Sequence, residues 1–394
     1  MVDRQPILDS RLHGIVTSRD KRGLLRRVDP IPNNKIDFSS NDYLGLARSK
    51  TLNAHFLHAL TTHASETTTS PTPSPNPLLG STGSRLLNGD SNLAHSLETF
   101  LSNFHSSQSA LLFNSGYDAN LSLFSTLPQP GDLVLIDELV HASVHDGVRI
   151  LAVEACYSMD GDAAPLVEIV NCLEEFGGRA VLVVDEAHST GVYGPQGKGL
   201  VASLNLESRI YARLVTFGKA LGCHGAVILG SPTLRTYLIN YARPLIYSTF
   251  ISNHGLIAIK CAYQYLSQNA AQLQSHIHTN ITHFRTTLTI PKPAYLLPST
   301  SPIQGIVLPR NETVNRLAAL LQDKGFDVRP IRSPTVPSGT ERVRICLHVH
   351  NTREEIDHFA RTCEWALGVV LGRGEGEGTT EVKTGQPALL TPKL

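Results

Sequence analysis

Short apolar runs punctuate the middle of the chain, at residues 109–113, 133–136, 151–157, 181–184, 213–217 and 225–229. They are rich in Val, Ile, Leu and Ala, with turn-forming polar residues or glycine between many of them, as strands buried on both faces are. Helical stretches separate several of them. The pattern therefore predicts an α/β fold, a mostly parallel sheet covered by helices. From Asn253 to about Gln274 the apolar positions take up a helical period. Further on, runs at 303–308 and 342–347 predict the strands of a smaller C-terminal α+β domain. No segment repeats another.

The two ends read differently. A basic helical pattern over 8–27 leads through a proline-rich turn to Ile36-Asp37-Phe38-Ser39-Ser40, so residues 1–48 are expected to form an N-terminal arm. Its arginines Arg19, Arg22, Arg26 and Arg27 suit a solvated helix face. Residues 63–77 are so rich in Ser, Thr and Pro that no packed core can be made from them, and a surface loop is expected there. The organisation that follows is a large domain over 49–250, a linker helix and small domain over 251–371, and a disordered tail over 372–394.

Composition removes several function classes. The 394 residues are 41% hydrophobic and 17% charged, with 34 basic and 34 acidic side chains, which gives no electrostatic case for nucleic acid or an anionic membrane. No apolar run approaches membrane-spanning length. The start of the chain lacks a secretory signal pattern, and the six cysteines are scattered with no Cys-x-x-Cys pair. A reduced intracellular compartment fits better than a disulfide framework or a zinc site, and no metal is expected. The final Pro392-Lys393-Leu394 is close to the Ser-Lys-Leu peroxisomal address, so binding to a peroxisomal import receptor is expected, with the cytoplasm as the alternative location.

Candidate chemistry gathers at strand ends. The run 181–184 ends in Asp185-Glu186-Ala187-His188, and the run 213–217 ends in Gly218-Lys219. An acid, an imidazole and an amine thus arrive at one sheet edge, where open α/β sheets bind ligands. A lysine desolvated in a cleft, with an acid to hold a ring nitrogen, is what a pyridoxal phosphate enzyme needs. The helicase-like reading of Asp-Glu-Ala-His needs a Walker A loop, and Gly194-Pro195-Gln196-Gly197-Lys198-Gly199 has the wrong spacing for one. Asn114-Ser115-Gly116-Tyr117 ends a strand and opens a helix, whose amides suit a phosphate, and Thr216 adds a hydroxyl nearby. His141 follows the second strand, where its ring is placed to stack on a cofactor. Ser158 opens a turn, Ser158-Met159-Asp160-Gly161-Asp162, in which Asp160 and Asp162 read as satisfying backbone groups. Gly80-Ser81-Thr82-Gly83-Ser84-Arg85 reads as a substrate-facing glycine loop or a tight connection.

Taken with Ser39-Ser40-Asn41-Asp42-Tyr43-Leu44-Gly45-Leu46, these motifs resemble the α-oxoamine synthases, which are fold-type I pyridoxal phosphate (PLP) enzymes, from residue 39 to about 371. The resemblance implies an acyltransferase that condenses an amino acid with an acyl-CoA and releases carbon dioxide. It implies Lys219 as the cofactor-binding lysine, Asp185 as the pyridine partner and His141 as the stacking ring. It further implies His188 and Ser158 as contacts to cofactor oxygens, Ser115, Gly116 and Tyr117 at the phosphate or ring edge, and Thr216 as a phosphate ligand. His141 and His188 join Lys219 as catalytic candidates. Ser248 and Thr249, in Tyr247-Ser248-Thr249, are implied to reach the neighbouring subunit's phosphate, hence a homodimer with shared active sites. Arg332, in Ile331-Arg332-Ser333-Pro334-Thr335-Val336-Pro337, is implied to hold the amino-acid carboxylate, with Asn41 and Thr335 on the substrate side.

Within the family the motifs are most similar to the branch that joins L-alanine to pimeloyl-CoA in biotin biosynthesis. Glycine or another acyl-CoA, and a non-catalytic paralogue subunit, stand as alternatives. One departure is visible. After the His141 segment the family has a further strand and helix, whereas here residues 146–150 run straight into 151–154. One edge strand–helix unit is missing, and residues 138–150 must serve as the whole crossover, near the dozen residues a parallel connection needs. A mis-joined gene model would produce the same gap.

Overall fold

The structure, a computed structural model, describes residues 5–22, 24–25, 28, 30, 34–68, 78–136 and 149–372. His141, residues 69–77 and the tail from 373 with Pro392-Lys393-Leu394 lie outside the described residues. The chain divides into two compact units, Met1–Lys35 and Ile36–Leu394. The first contains helix α1 (Gln5–Lys21). Residues 36–48, expected in the arm, belong to the second unit instead. The reason is packing: β1 (Ile36–Asp37) pairs with the strand Phe326–Asp327, and Phe38, Tyr43, Leu44 and Leu46 are buried in the main core.

The second unit continues with α2 (Lys50–Thr68), so residues 63–68 are helical and not loop. The Ser65 hydroxyl bonds back to the Thr61 carbonyl within the helix, and the first proline of the segment is Pro71. Ser91 caps α3 (Asn92–Phe104) by accepting from the Ala94 amide. Next come β2 (Ser109–Phe113), α4 (Gly116–Thr126), β3 (Leu133–Ile136), β4 (Arg149–Glu154), α5 (Leu166–Glu174), β5 (Ala180–Asp185), α6 (Leu200–Ser203), β6 (Ala212–Thr216) and β7 (Ala226–Gly230). The six strands form one sheet in the order β2-β7-β6-β5-β4-β3. The pairs from β3 to β6 are parallel, and β7 alone runs against both its neighbours. Strands β2, β6 and β7 are buried almost throughout, because helices cover both faces and each run can be apolar without alternation.

With β3 at the edge, the missing strand–helix unit leaves the sheet unbroken. β3 pairs directly with β4, Leu133 opposite Arg149 through Ile136 opposite Ala152, and only residues 137–148 connect them.

The chain then runs through α7 (Pro232–Tyr241), α8 (Arg243–Tyr247) and the long helix α9 (Asn253–Thr287), which extends beyond the predicted 253–274. The remaining elements are β8 (Tyr295–Leu296), β9 (Ile303–Val307), α10 (Asn311–Asp323), β10 (Phe326–Asp327), β11 (Arg329–Ile331), β12 (Arg342–Cys346) and α11 (Arg353–Val370). An antiparallel sheet, β11-β12-β9-β8, carries this smaller part. A capping box between Thr352 and Glu355 starts α11. Among the described residues no helix is long and apolar enough to cross a membrane.

Candidate active site

Sheet register decides which side chains meet. Glu154 and Asp185 end β4 and β5 opposite each other, and Asp185 stands opposite Leu214 of β6. Phe113 and Thr216 both pair with Ala226. The turn 114–116 after β2 and the turn 217–219 after β6 therefore leave the sheet at the same level and edge. All of this follows from in-register apolar runs whose polar residues begin where the strands stop.

The turn after β5 is braced from beneath. Glu186 is fully buried, and its Oε1 accepts the Ser189 hydroxyl at 3.1 Å and the Val201 amide at 2.9 Å. Above it, Asp185 accepts the Ala187 amide on Oδ1 at 2.9 Å and the Asn120 side-chain amide on Oδ2 at 2.8 Å. Two neutral donors thus orient this carboxylate without neutralising it. Asn120 reaches it from the first turns of α4.

Lys219 lies at the centre. Its Nζ is 2.7 Å from His188 Nε2. Burial lowers the ammonium pKa of Lys219, against the pull of Asp185 and Glu154 that raises it, and Arg344 lowers it further. Burial raises the carboxyl of Glu154, whose Oε2 accepts the Ser158 amide at 2.9 Å. On its other side His188 Nδ1 meets the Tyr43 hydroxyl at 2.7 Å. Burial, Lys219 and Arg344 push the His188 pKa down to about 2, so the ring is neutral.

The guanidinium that reaches this cluster is Arg344. Its Nε donates to the Ser158 carbonyl at 2.8 Å, and its NH2 donates to Asn41 Oδ1 at 3.2 Å. Arg332, the sequence candidate, is half-buried just past β11, in a turn where its carbonyl accepts the Thr335 amide at 2.8 Å; Thr335 is exposed. Strand parity explains the difference. Arg342 and Arg344 share one face of β12 and both reach the 158–160 turn, Arg342 by pairing with Asp160. Two arginines in an otherwise apolar buried strand were the signal in the sequence.

A cradle for a phosphate lies one strand away. Ser115 caps α4 by accepting the Asp118 amide at 3.0 Å, which leaves the amides of Gly116 and Tyr117 at the head of the helix. A Cβ on Gly116 would stand 3.4 Å from Thr216 Cβ and Oγ1, so glycine keeps this corner open beside the threonine. Ser248 and Thr249 are exposed just after α8, and the Thr249 carbonyl accepts from Asn114 at 2.7 Å. Tyr117 and Tyr247 are 77% and 74% exposed. The loop from Gly80 to Arg85 is tied to the same region, with Ser81 Oγ on the Phe250 carbonyl at 2.8 Å and Arg85 buried against Glu98.

Among the described residues one His/Asp trio, Asp37, His348 and His350, has donor atoms within 4.8 Å of one another. The Asp37 carboxylate is taken by Arg48 at 2.8 Å and by Ser39 and Ser40, and His348 contacts the Ser40 carbonyl at 2.9 Å and Asn351 Oδ1 at 3.1 Å. The trio is a clasp between β1 and the end of β12.

A desolvated lysine, an oriented carboxylate on the next strand and a glycine-lined helix N-terminus fit an aldehyde, a pyridine nitrogen and a phosphate, the three handles of PLP. The model of the aminotransferase class I and II family matches residues 33–151 and 146–362, and the chain belongs to that family. The break in the match falls at the shortened crossover. Within the family it is a PLP-dependent acyltransferase of the α-oxoamine synthase group. It is 39% identical to 8-amino-7-oxononanoate synthase of Emericella nidulans, over 92% of this chain and 96% of that protein. An aminoacyl transferase of Aspergillus fumigatus is 32% identical, over 84% of this chain and 81% of its own length. Among solved structures, serine palmitoyltransferase of S. paucimobilis superposes with a TM-score of 0.77 at 23% identity, over 92% of this chain and 98% of that one, which shows the shared fold.

Proposed function

We propose that the protein condenses L-alanine with pimeloyl-CoA, releasing CoA and carbon dioxide and forming 8-amino-7-oxononanoate. The observation that carries this reading is the near full-length similarity to the E. nidulans 8-amino-7-oxononanoate synthase. PLP, when bound, supplies the electron-withdrawing ring that stabilises negative charge at the amino acid's α-carbon. The residues fit that purpose. Lys219 is the amine for the cofactor aldehyde, kept reactive by burial. Asp185, oriented by the Ala187 amide and the Asn120 side chain, would hold the ring nitrogen. The Gly116 and Tyr117 amides, with Ser115 and Thr216, receive the phosphate.

His188 and Ser158 would contact the cofactor's oxygens. The amino-acid carboxylate would meet a guanidinium, Arg344 beside Asn41 being one candidate and Arg332, in the turn just past β11, the other. The Lys219 amine, desolvated beside His188, would also serve to accept a proton from the amino acid's α-carbon. The exposed Ser248 and Thr249 beside exposed Tyr117 and Tyr247 suit a second copy of the chain completing each site.

CoA release from pimeloyl-CoA with L-alanine, compared with glycine or L-serine and with acetyl-CoA, tests the assignment. Dependence on L-alanine and pimeloyl-CoA is expected. The similarity to the A. fumigatus aminoacyl transferase supports a second reading, a different amino acid or acyl donor, and release with another pair alone would favour it.

A further inference from the structure

The polar groups behind Lys219, among them the buried Tyr43 and His188, form a chain whose hydrogen bonds run in one direction only. Its links are Lys219 Nζ to His188 Nε2 at 2.7 Å, His188 Nδ1 to Tyr43 OH at 2.7 Å, and Tyr43 OH to Asn41 Oδ1 at 3.0 Å. Arg344 NH2 closes it, 3.2 Å from Asn41 Oδ1 and 3.5 Å from the Tyr43 oxygen.

Donor counting fixes each proton. A guanidinium has donors and no acceptor, so Asn41 turns its oxygen to Arg344; a flipped amide would face NH2 with a second donor. An amide oxygen cannot donate. The 3.0 Å contact between Asn41 Oδ1 and the Tyr43 oxygen is therefore attractive only if the phenol proton lies on it. Burial holds the Tyr43 hydroxyl well above its ordinary pKa, so it keeps its single proton. With that proton spent on Asn41, the Tyr43 oxygen can only accept from His188 Nδ1–H. The ring is neutral and carries one N–H, which leaves Nε2 bare toward Lys219. In this direction every group is satisfied: Tyr43 accepts two bonds and donates one, and Asn41 Oδ1 accepts two. In the opposite direction two oxygens face each other at 3.0 Å without a proton.

We propose that Asn41, oriented by Arg344, is a positioning residue that acts through Tyr43 to hold His188 as the Nδ1–H tautomer, with the Nε2 lone pair accepting an N–H of Lys219. Asn41 then acts at a distance from the amine, through three hydrogen bonds, in addition to any contact with substrate. The lone pair at 2.7 Å sets where the Lys219 nitrogen points and so aims its own lone pair away from the ring. The purpose of the device rests on the proposed role of Lys219, while its test in cofactor-free protein involves no turnover and fails or succeeds independently of that role.

The test is the protonation state of the His188 ring, read by ¹⁵N-histidine NMR on the full cofactor-free protein near neutral pH. The His188 signal is identified by its loss in His188→Gln. In the wild type Nδ1 is expected to carry the proton. Asn41→Ala removes the acceptor of the phenol proton, freeing it for His188 Nδ1, and the ring is expected to change to the Nε2–H tautomer. Asn41→Asp keeps an acceptor there and is expected to keep the wild-type tautomer, a contrast that a merely structural role would not produce. A wild-type ring protonated on Nε2 overturns the proposal without any variant. So does a folded Asn41→Ala protein with an unchanged tautomer. Should Asn41→Ala not fold, Tyr43→Phe decides in its place: loss of the Nδ1–H partner should mix the tautomers, and an unmixed ring refutes the proposal.

Discussion

Removing the Asn120 side chain is expected to weaken cofactor binding without unfolding the protein. Asn120 lies on α4 and donates to Asp185 Oδ2 at 2.8 Å, while Ala187 N holds Oδ1 at 2.9 Å. In Asn120→Ala one carboxylate oxygen loses this side-chain donor. A hydrogen bond to a charged acceptor contributes about 1.5–3 kcal/mol. The site is part-buried, and the pyridine nitrogen restores one partner when PLP is present, so the lower end applies. About 1.5 kcal/mol is roughly a tenfold rise in Kd. Fluorescence titration of the apoprotein with PLP measures it, with circular dichroism as the folding control. Asn120→Asp adds a second carboxylate beside Asp185, where like charges at about 4 Å repel by about 4 kcal/mol near a protein surface, and should weaken binding more. A folded Asn120→Ala protein with wild-type PLP affinity would refute the placement of Asp185 at the cofactor ring.

Three other outcomes follow from the same geometry. In Gly199→Ala the new Cβ would lie 2.4 Å from the carboxylate of fully buried Glu186, at a backbone φ of +106°, so the turn carrying Asp185 and His188 should lose roughly 2 kcal/mol or more of stability; an unchanged urea midpoint contradicts this. Burial alone would raise the Asp37 pKa, but His348 and hydrogen bonds from Ser40 and Ser39 outweigh it and hold the carboxyl well below its ordinary value. A depressed carboxylate contributes stability that is complete above its unfolded pKa, about 3.9, and is lost as pH falls below it toward the folded value. The stability gap between wild type and Asp37→Asn should therefore stay constant from pH 7 to about pH 5 and begin to shrink below about pH 4 in urea melts, and a gap independent of pH down to the acid limit of folding would be inconsistent. Glu154 raises the Lys219 pKa, so Glu154→Gln should move the pH midpoint for adduct formation between Lys219 and pyridoxal downward, and an upward move argues against their proximity.

Much of the site was legible because the sheet is buried on both faces. Each strand shows as an apolar run, and the first polar residues after it, Asp185 and Lys219, mark the edge where ligands bind. The shortened crossover was also visible, since few residues separate the apolar runs that form β3 and β4. What escaped depends on contacts between distant segments. Asn120 meets Asp185 across 65 residues, and nothing in α4 marks it out. Residues 36–48 read as an arm because a two-residue strand has no period, yet β1 pairs with β10 and sets Asn41 and Tyr43 at the site. Residues 63–68 read as loop from composition, although α2 extends to Thr68. Arg332 stood out inside a conspicuous Pro-Thr-Val-Pro segment, whereas Arg344 was concealed in a buried strand, where its parity with Arg342 was the clue.

The central claim, that Lys219 is the amine of a PLP site, is tested most directly by mapping the covalent adduct. The purified protein is incubated with PLP, reduced with borohydride and analysed by peptide mass spectrometry. One phosphopyridoxyl group per chain on the peptide containing Lys219, lost together with the visible absorbance in Lys219→Ala, is the predicted result. An adduct on a different lysine, or a folded wild-type protein that takes up no PLP, would contradict it.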